Sequence, residues 1–138
     1  MTLIVYNSCL DDAMRGNIDF DTDTFKCMLV TSAYTENKDT HAKRSDVTNE
    51  VTGTGYTAGG TAATVTVTKD TASDRIDISL GAVSWPSSTI TARKAIYYKS
   101  RGGAASADEL VAMIDFGADV SSTNGTFSLS ASTLRIQN

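Results

Sequence analysis

The chain is poor in the side chains that carry nucleophilic and metal chemistry: 138 residues hold one histidine, two cysteines, one tryptophan and one proline. Cys9 and Cys27 are too few and too far apart for a disulfide scaffold, and no neighbouring cysteine or histidine completes a metal quartet, so both read as reduced core residues. Nucleophilic catalysis needs a base beside the nucleophile, and His41 lies in a polar stretch with no serine or cysteine motif around it. The expectation is a protein without catalytic machinery, cofactor or metal. Long hydrophobic runs are missing as well: Cys27 to Val30 and Leu110 to Ile114 are far shorter than a bilayer requires. The opening Met-Thr-Leu-Ile-Val-Tyr has no basic leader, and no secretory signal is visible. Positive charge is in deficit, with 12 Lys and Arg against 16 Asp and Glu and a net charge of -4. Such a molecule repels phosphate backbones and anionic lipid, which excludes nucleic acid and membrane surfaces as partners.

What the chain has instead is serine, threonine and alternation. Thr61 to Thr68 (Thr-Ala-Ala-Thr-Val-Thr-Val-Thr) and Arg75 to Leu80 (Arg-Ile-Asp-Ile-Ser-Leu) place Val65 and Val67, then Ile76, Ile78 and Leu80, on single faces. The polar Lys-Asp-Thr-Ala-Ser-Asp between them predicts a hairpin. Ala82 to Trp85 reads as a brief strand stopped by Pro86, with a turn at Ser87 and Ser88. In Ile90 to Lys99, Lys94 interrupts an apolar parity, so that face is expected to reach solvent or a partner. Asp108 to Phe116 reads as a strand buried on both sides. Asn124-Gly125 is a tight-turn signal, followed by strands at Thr126 to Ser130 and Thr133 to Gln137. Near the start, Tyr6 to Gly16 predicts a short helix capped at Asn7 or Ser8 and ended by Gly16, with Leu10, Ala13 and Met14 as the stripe that packs on a sheet edge. Phe25 to Thr31 reads as the first core strand, and Tyr34 to Gly60 as a long polar, then glycine-rich, excursion.

About eight short strands in a chain of this length predict one domain over residues 1–138, all-β, as an antiparallel two-sheet sandwich of jelly-roll or related type with one N-terminal helix.

Several constellations invite a chemical reading. Asp19, Asp21 and Asp23 begin like a calcium loop, but Thr24 and Val30 stand where it needs a glycine and a bidentate acid, so they read as turn and capping aspartates. Gly53 to Gly60 looks like a phosphate loop but has no lysine. Trp85 reads as core, ahead of a sugar platform or interface anchor. Arg93, Lys94, Lys99 and Arg101 form the only basic cluster, interleaved with Tyr97 and Tyr98. On an acidic chain this suits an acidic protein surface better than nucleic acid.

Val51-Thr-Gly-Thr-Gly-Tyr-Thr-Ala-Gly-Gly60 with the Thr/Val strand after it, Asp19-Phe-Asp-Thr-Asp-Thr-Phe-Lys26 leading into Met28-Leu-Val-Thr-Ser-Ala-Tyr34, Gly81-Ala-Val-Ser-Trp-Pro86 and Leu110 to Phe116 carry a resemblance. Together they resemble small structural proteins of tailed bacteriophages, in particular the capsid cement, or decoration, proteins of short-tailed phages. The resemblance implies a jelly-roll fold and a place in the virion, on the outer capsid surface, where a homodimer at two-fold positions ties major capsid protein subunits together. On that expectation the contacts fall on Thr2, Leu3, Ile4, Val5 and Tyr6, on Lys38, His41, Lys43 and Arg44, and on Arg93, Lys94 and Arg101. Glutamate at Arg93, Lys94 and Arg101 is then expected to abolish shell binding without unfolding the domain. The competing expectation is a phage tail or fibre component, or a carbohydrate- or receptor-binding module in which Trp85, Tyr97 and Tyr98 stack on sugar rings.

Overall fold

A computed structural model describes all 138 residues. In chain order the elements are β1 (Thr2–Val5), α1 (Asn7–Met14), β2 (Phe25–Val30), β3 (Thr61–Ala63), β4 (Val65–Asp70), β5 (Arg75–Leu80), β6 (Val83–Lys99), β7 (Leu110–Leu129) and β8 (Ser132–Gln137). They form an antiparallel sandwich of a five-stranded sheet, ordered β1-β7-β6-β2-β3, and a three-stranded sheet, ordered β4-β5-β8. The all-β, two-sheet expectation holds. Sheets of five and three strands in this order do not by themselves make a jelly roll.

The sandwich interior joins Phe25, Cys27 and Leu29 of β2 and Tyr97 of β6 to Ile78, Leu80 and Leu134 of the small sheet, and closes at one end with Trp85 and Phe127. A second, smaller core lies on the opposite face of the large sheet, where Met28, Val30, Ile96, Tyr98, Leu110 and Met113 meet Tyr6 and Tyr34. The excursion after β2 covers that face. This is why Leu110 to Ile114 is buried at every position, as a strand covered on both sides should be. Cys9 and Cys27 are both buried and free, so the reading of reduced core cysteines holds; burial pushes the Cys9 thiol up to about 12.

The expected hairpin of β4 and β5 forms, with Val65 opposite Leu80 and Val67 opposite Ile78. Two expected breaks do not occur. Pro86 does not stop a strand, and Asn124-Gly125 is not a hairpin turn; both lie inside the long β6–β7 ladder. Between the pairs Trp85↔Phe127 and Ser88↔Gly125, β6 carries one extra residue, and between Ser88↔Gly125 and Ile90↔Ser122, β7 carries one. The two bulges compensate, so the register beyond them is restored. Proline is tolerated in the first because a bulge leaves a residue without a ladder partner, and Asn124 in the second adopts a φ of 45°.

The helix also differs from expectation in its packing. Cys9 is its buried residue, whereas Met14 is 80% exposed and Leu10 half out of the core. No side chain caps its start, and Gly16 follows its end with a φ of 81°.

Candidate functional site

The three segments expected to make contacts converge at one end of the large sheet. β1 is its edge strand, paired through Thr2↔Asp115 to Val5↔Ala112 of β7, with its other edge open. The Asn7 N–H donates to the Lys38 carbonyl at 2.9 Å, which ties the excursion to the end of β1. Further along, Lys43 pairs with Glu109, and the Leu110 N–H donates to the Ala42 carbonyl at 3.0 Å. Thr2 and Lys38 are exposed; Leu3, Ile4 and Val5 are half-buried. Tyr6 is fully buried, and its hydroxyl meets that of Tyr34 at 2.9 Å, so it belongs to the core and not to a contact surface. The Tyr34 hydroxyl in turn lies 2.9 Å from Nδ1 of His41, which makes this half-buried histidine part of an internal chain.

The basic cluster is internally neutralised. Lys94 is only 8% exposed and does not reach solvent or a partner; its Nζ donates to Glu36 at 2.6 Å and to the Tyr34 carbonyl at 2.8 Å. A one-residue reading of parity misses this because the register shifts between Ala92 and Lys94, where β7 bulges around Gly117. Lys99 pairs with Asp23 at 2.7 Å, and Arg93 with Asp115 at 3.1 Å. At the start of β7, Asp108 and Glu109 are each 1% exposed and hold Arg44 at 2.7 Å and Arg101 at 2.6 Å. Lys43 stands 3.8 Å from Glu109. The hydrogen bond from Lys94 keeps the Glu36 carboxyl below the usual carboxylate range; the Gly117 N–H, with Arg93, does the same for Asp115. Only Lys38, among the cations expected to make contacts, is without a carboxylate. Replacing Arg93, Lys94 and Arg101 with glutamate would therefore set carboxylate against carboxylate inside the fold, and the expectation that the domain survives that change is withdrawn.

The other end of the molecule carries what the sequence reading missed. From Val83 to Ala92 and from Val120 to Leu129 no residue is charged. In this half of the ladder Val83, Trp85, Ile90, Phe127 and Leu129 point into the core, and Ser84, Thr89, Thr91, Ser121, Thr123, Thr126 and Ser128 stay exposed on the outer face. Ser84 stands opposite Ser128 and Thr91 opposite Ser121, with 2.7 Å between the latter pair's hydroxyl oxygens. The result is a face of short hydroxyl side chains to which the two strands bring no charge; half-buried Glu50, from the excursion, lines the hollow beside Thr89, Thr91, Ser121 and Thr123. Its signal was present as strict alternation of apolar residues with Ser or Thr, but the assumed breaks at Pro86 and Asn124 cut it into pieces.

The glycine-rich segment is a strap along the edge of β6 away from β7 and not a phosphate loop. Thr54 pairs with Thr89, and a Cβ at Gly53 or Gly55 would stand 2.5 Å from the Thr89 carbonyl oxygen or 2.8 Å from that of Ser87. The strap is pinned by Tyr56, whose ring lies against Trp85 and whose hydroxyl accepts from the Leu29 N–H at 2.9 Å and donates to Glu50 at 2.8 Å. Trp85, Tyr97 and Tyr98 are 4%, 0% and 1% exposed, which leaves them no ring face for a sugar and removes the stated basis of the carbohydrate reading. Asp19 and Asp23 make turn contacts, accepting from the N–H groups of Asp21 at 2.9 Å and Asp19 at 2.8 Å. No cluster of histidine, cysteine or carboxylates is arranged to hold a metal ion. No helix is long and apolar enough to cross a membrane.

Comparison with protein-family models, with curated proteins and with solved structures gives no match.

Proposed function

We propose that the protein is a structural virion component that binds the outer surface of a phage capsid and holds neighbouring major capsid protein subunits together, as a homodimer at capsid two-fold positions. The observation that carries this reading is the hydroxyl face of the β6–β7 ladder, to which the strands bring no charge and beside which Glu50 is the one carboxylate. Docking such a face immobilises few rotatable bonds, because Ser and Thr are short, and strips little charge of its hydration. The open edge of β1 and exposed Lys38 offer further contacts at the opposite end, so one small domain presents contact surfaces at two ends, as a tie between subunits requires. The family resemblance of the glycine strap and of the strands around it points the same way.

The mechanism is mass action: a protein that binds only the expanded shell lowers the free energy of that state and opposes rupture under internal pressure. Many weakly bound copies suffice. Co-sedimentation of the purified protein with expanded and unexpanded shells of the capsid protein encoded beside it tests this. Saturable binding to the expanded form alone is expected; no binding to either form refutes the proposal.

A further inference from the structure

Of the chain's glutamates, Glu36 and Glu109 hold cations of their own, Lys94 and Arg101, each at 2.6 Å. Glu50 is half-buried and forms no ion pair. One of its oxygens, Oε2, is fully engaged, accepting from the Tyr56 hydroxyl at 2.8 Å and from the Gly59 N–H at 2.7 Å. The other, Oε1, has no hydrogen-bond partner and is open to solvent. The carboxylate borders a hollow in the hydroxyl face that is lined by Thr31, Thr52, Thr89, Thr91, Ser121 and Thr123, with no lysine, arginine or histidine among its walls. A carboxylate fixed in place, partly withdrawn from water and without a counter-charge is stabilised by a cation that brings its own donors.

From this arrangement we infer that the hollow receives a lysine side chain of the partner protein, whose ammonium bonds Oε1 of Glu50 and the hydroxyls around it. The inference rests on the reading of the hydroxyl face as the docking face and names the contact that orients it. An ammonium carries three donors on one atom, and a single carboxylate oxygen ringed by threonine and serine hydroxyls offers acceptors to all of them. Arginine fits less well, because its planar fork bonds both oxygens of a carboxylate and Oε2 already accepts twice. A metal ion finds no second carboxylate and no histidine there. An acidic side chain is repelled by the one charge the hollow holds.

The test is co-sedimentation of Glu50→Gln and the parent with expanded shells, followed by carbodiimide coupling, which condenses a carboxylate with an adjacent amine, and peptide mass mapping. Glutamine keeps an oxygen for Tyr56 and Gly59, so the domain stays folded, which an unchanged urea midpoint checks. The variant is expected to bind about tenfold more weakly and with a shallower dependence on salt, and the bound parent to couple through Glu50 to a lysine of the shell. Shells with acetylated lysines probe the same contact without altering this chain, and they should bind parent and variant alike. Equal affinity of the two for untreated shells would overturn the inference and leave the docking face standing, as would weaker binding of the variant with Glu50 uncoupled in the parent. A parent that binds no shell would refute the docking face and this inference with it.

Discussion

The two ends of the β6–β7 ladder are built from the same pair of strands and differ in almost every other respect. At the end that holds Lys94 to Lys99 and Leu110 to Ile114, both faces are covered and the charges are paired across buried or half-buried positions. At the end that holds Ser84 to Thr91 and Ser121 to Ser128, one face is covered and the strands bring no charge to the other, which only Glu50 borders. A paired, desolvated charge has already spent its attraction inside the fold, so the end that looks most interactive by residue type is the one committed to structure. The plain end is the one left free to meet another surface.

The largest effect that separates the two ends is expected from Lys94→Glu. It places a carboxylate beside Glu36 at a buried position and should cost about 3–5 kcal/mol in urea unfolding. A loss below 1 kcal/mol there, on the order of an exposed pair, would break the comparison. Next comes Gly55→Ala at the neutral end. A φ of +81° and a Cβ close to the Ser87 carbonyl oxygen predict a loss of about 2 kcal/mol, measured the same way.

Acid sharpens the contrast further. Glu36 and Asp115 are held below the usual carboxylate range in the folded protein, so their stabilisation is fully present above a pH of about 4–5 and is lost as the pH falls through their lowered values. Thermal unfolding followed from pH 6 to pH 3 should show this loss. Neutralising the pairs together, with Glu36→Gln and Asp115→Asn, should make the profile shallower, the remaining slope coming from Asp19, Asp46 and Asp77, which are also held low. The smallest effect on stability is expected from Thr91→Lys with Ser121→Lys on the hydroxyl face, a loss of about 1 kcal/mol as the cross-strand hydroxyl pair is replaced by like charges directly opposite each other.

How much of this was legible in the sequence follows from where local pattern and long-range register agree. The β4–β5 hairpin was legible because its alternation and its turn lie within one short stretch. β2 and the doubly buried start of β7 were legible from continuous apolar runs. The long ladder was not, because Pro86 and Asn124-Gly125 each signal a break, and only the pairing of the strands shows that their bulges cancel. Lys94 was misread for the same reason, since its partner Glu36 lies 58 positions away. The helix stripe failed at Cys9, whose small side chain carries the burial while Met14 faces out. The candidate site was half legible: the segments around Thr2, Lys38 and Arg93 do come together, but whether a cation is free or paired depends on contacts that spacing does not reveal.

The central claim, that the neutral end and not the basic strand meets the partner, is tested most directly by co-sedimentation of Thr91→Lys/Ser121→Lys with expanded shells. The parent protein should saturate the shells, and the folded double variant should remain in the supernatant. Occupancy of the variant equal to that of the parent would contradict the account.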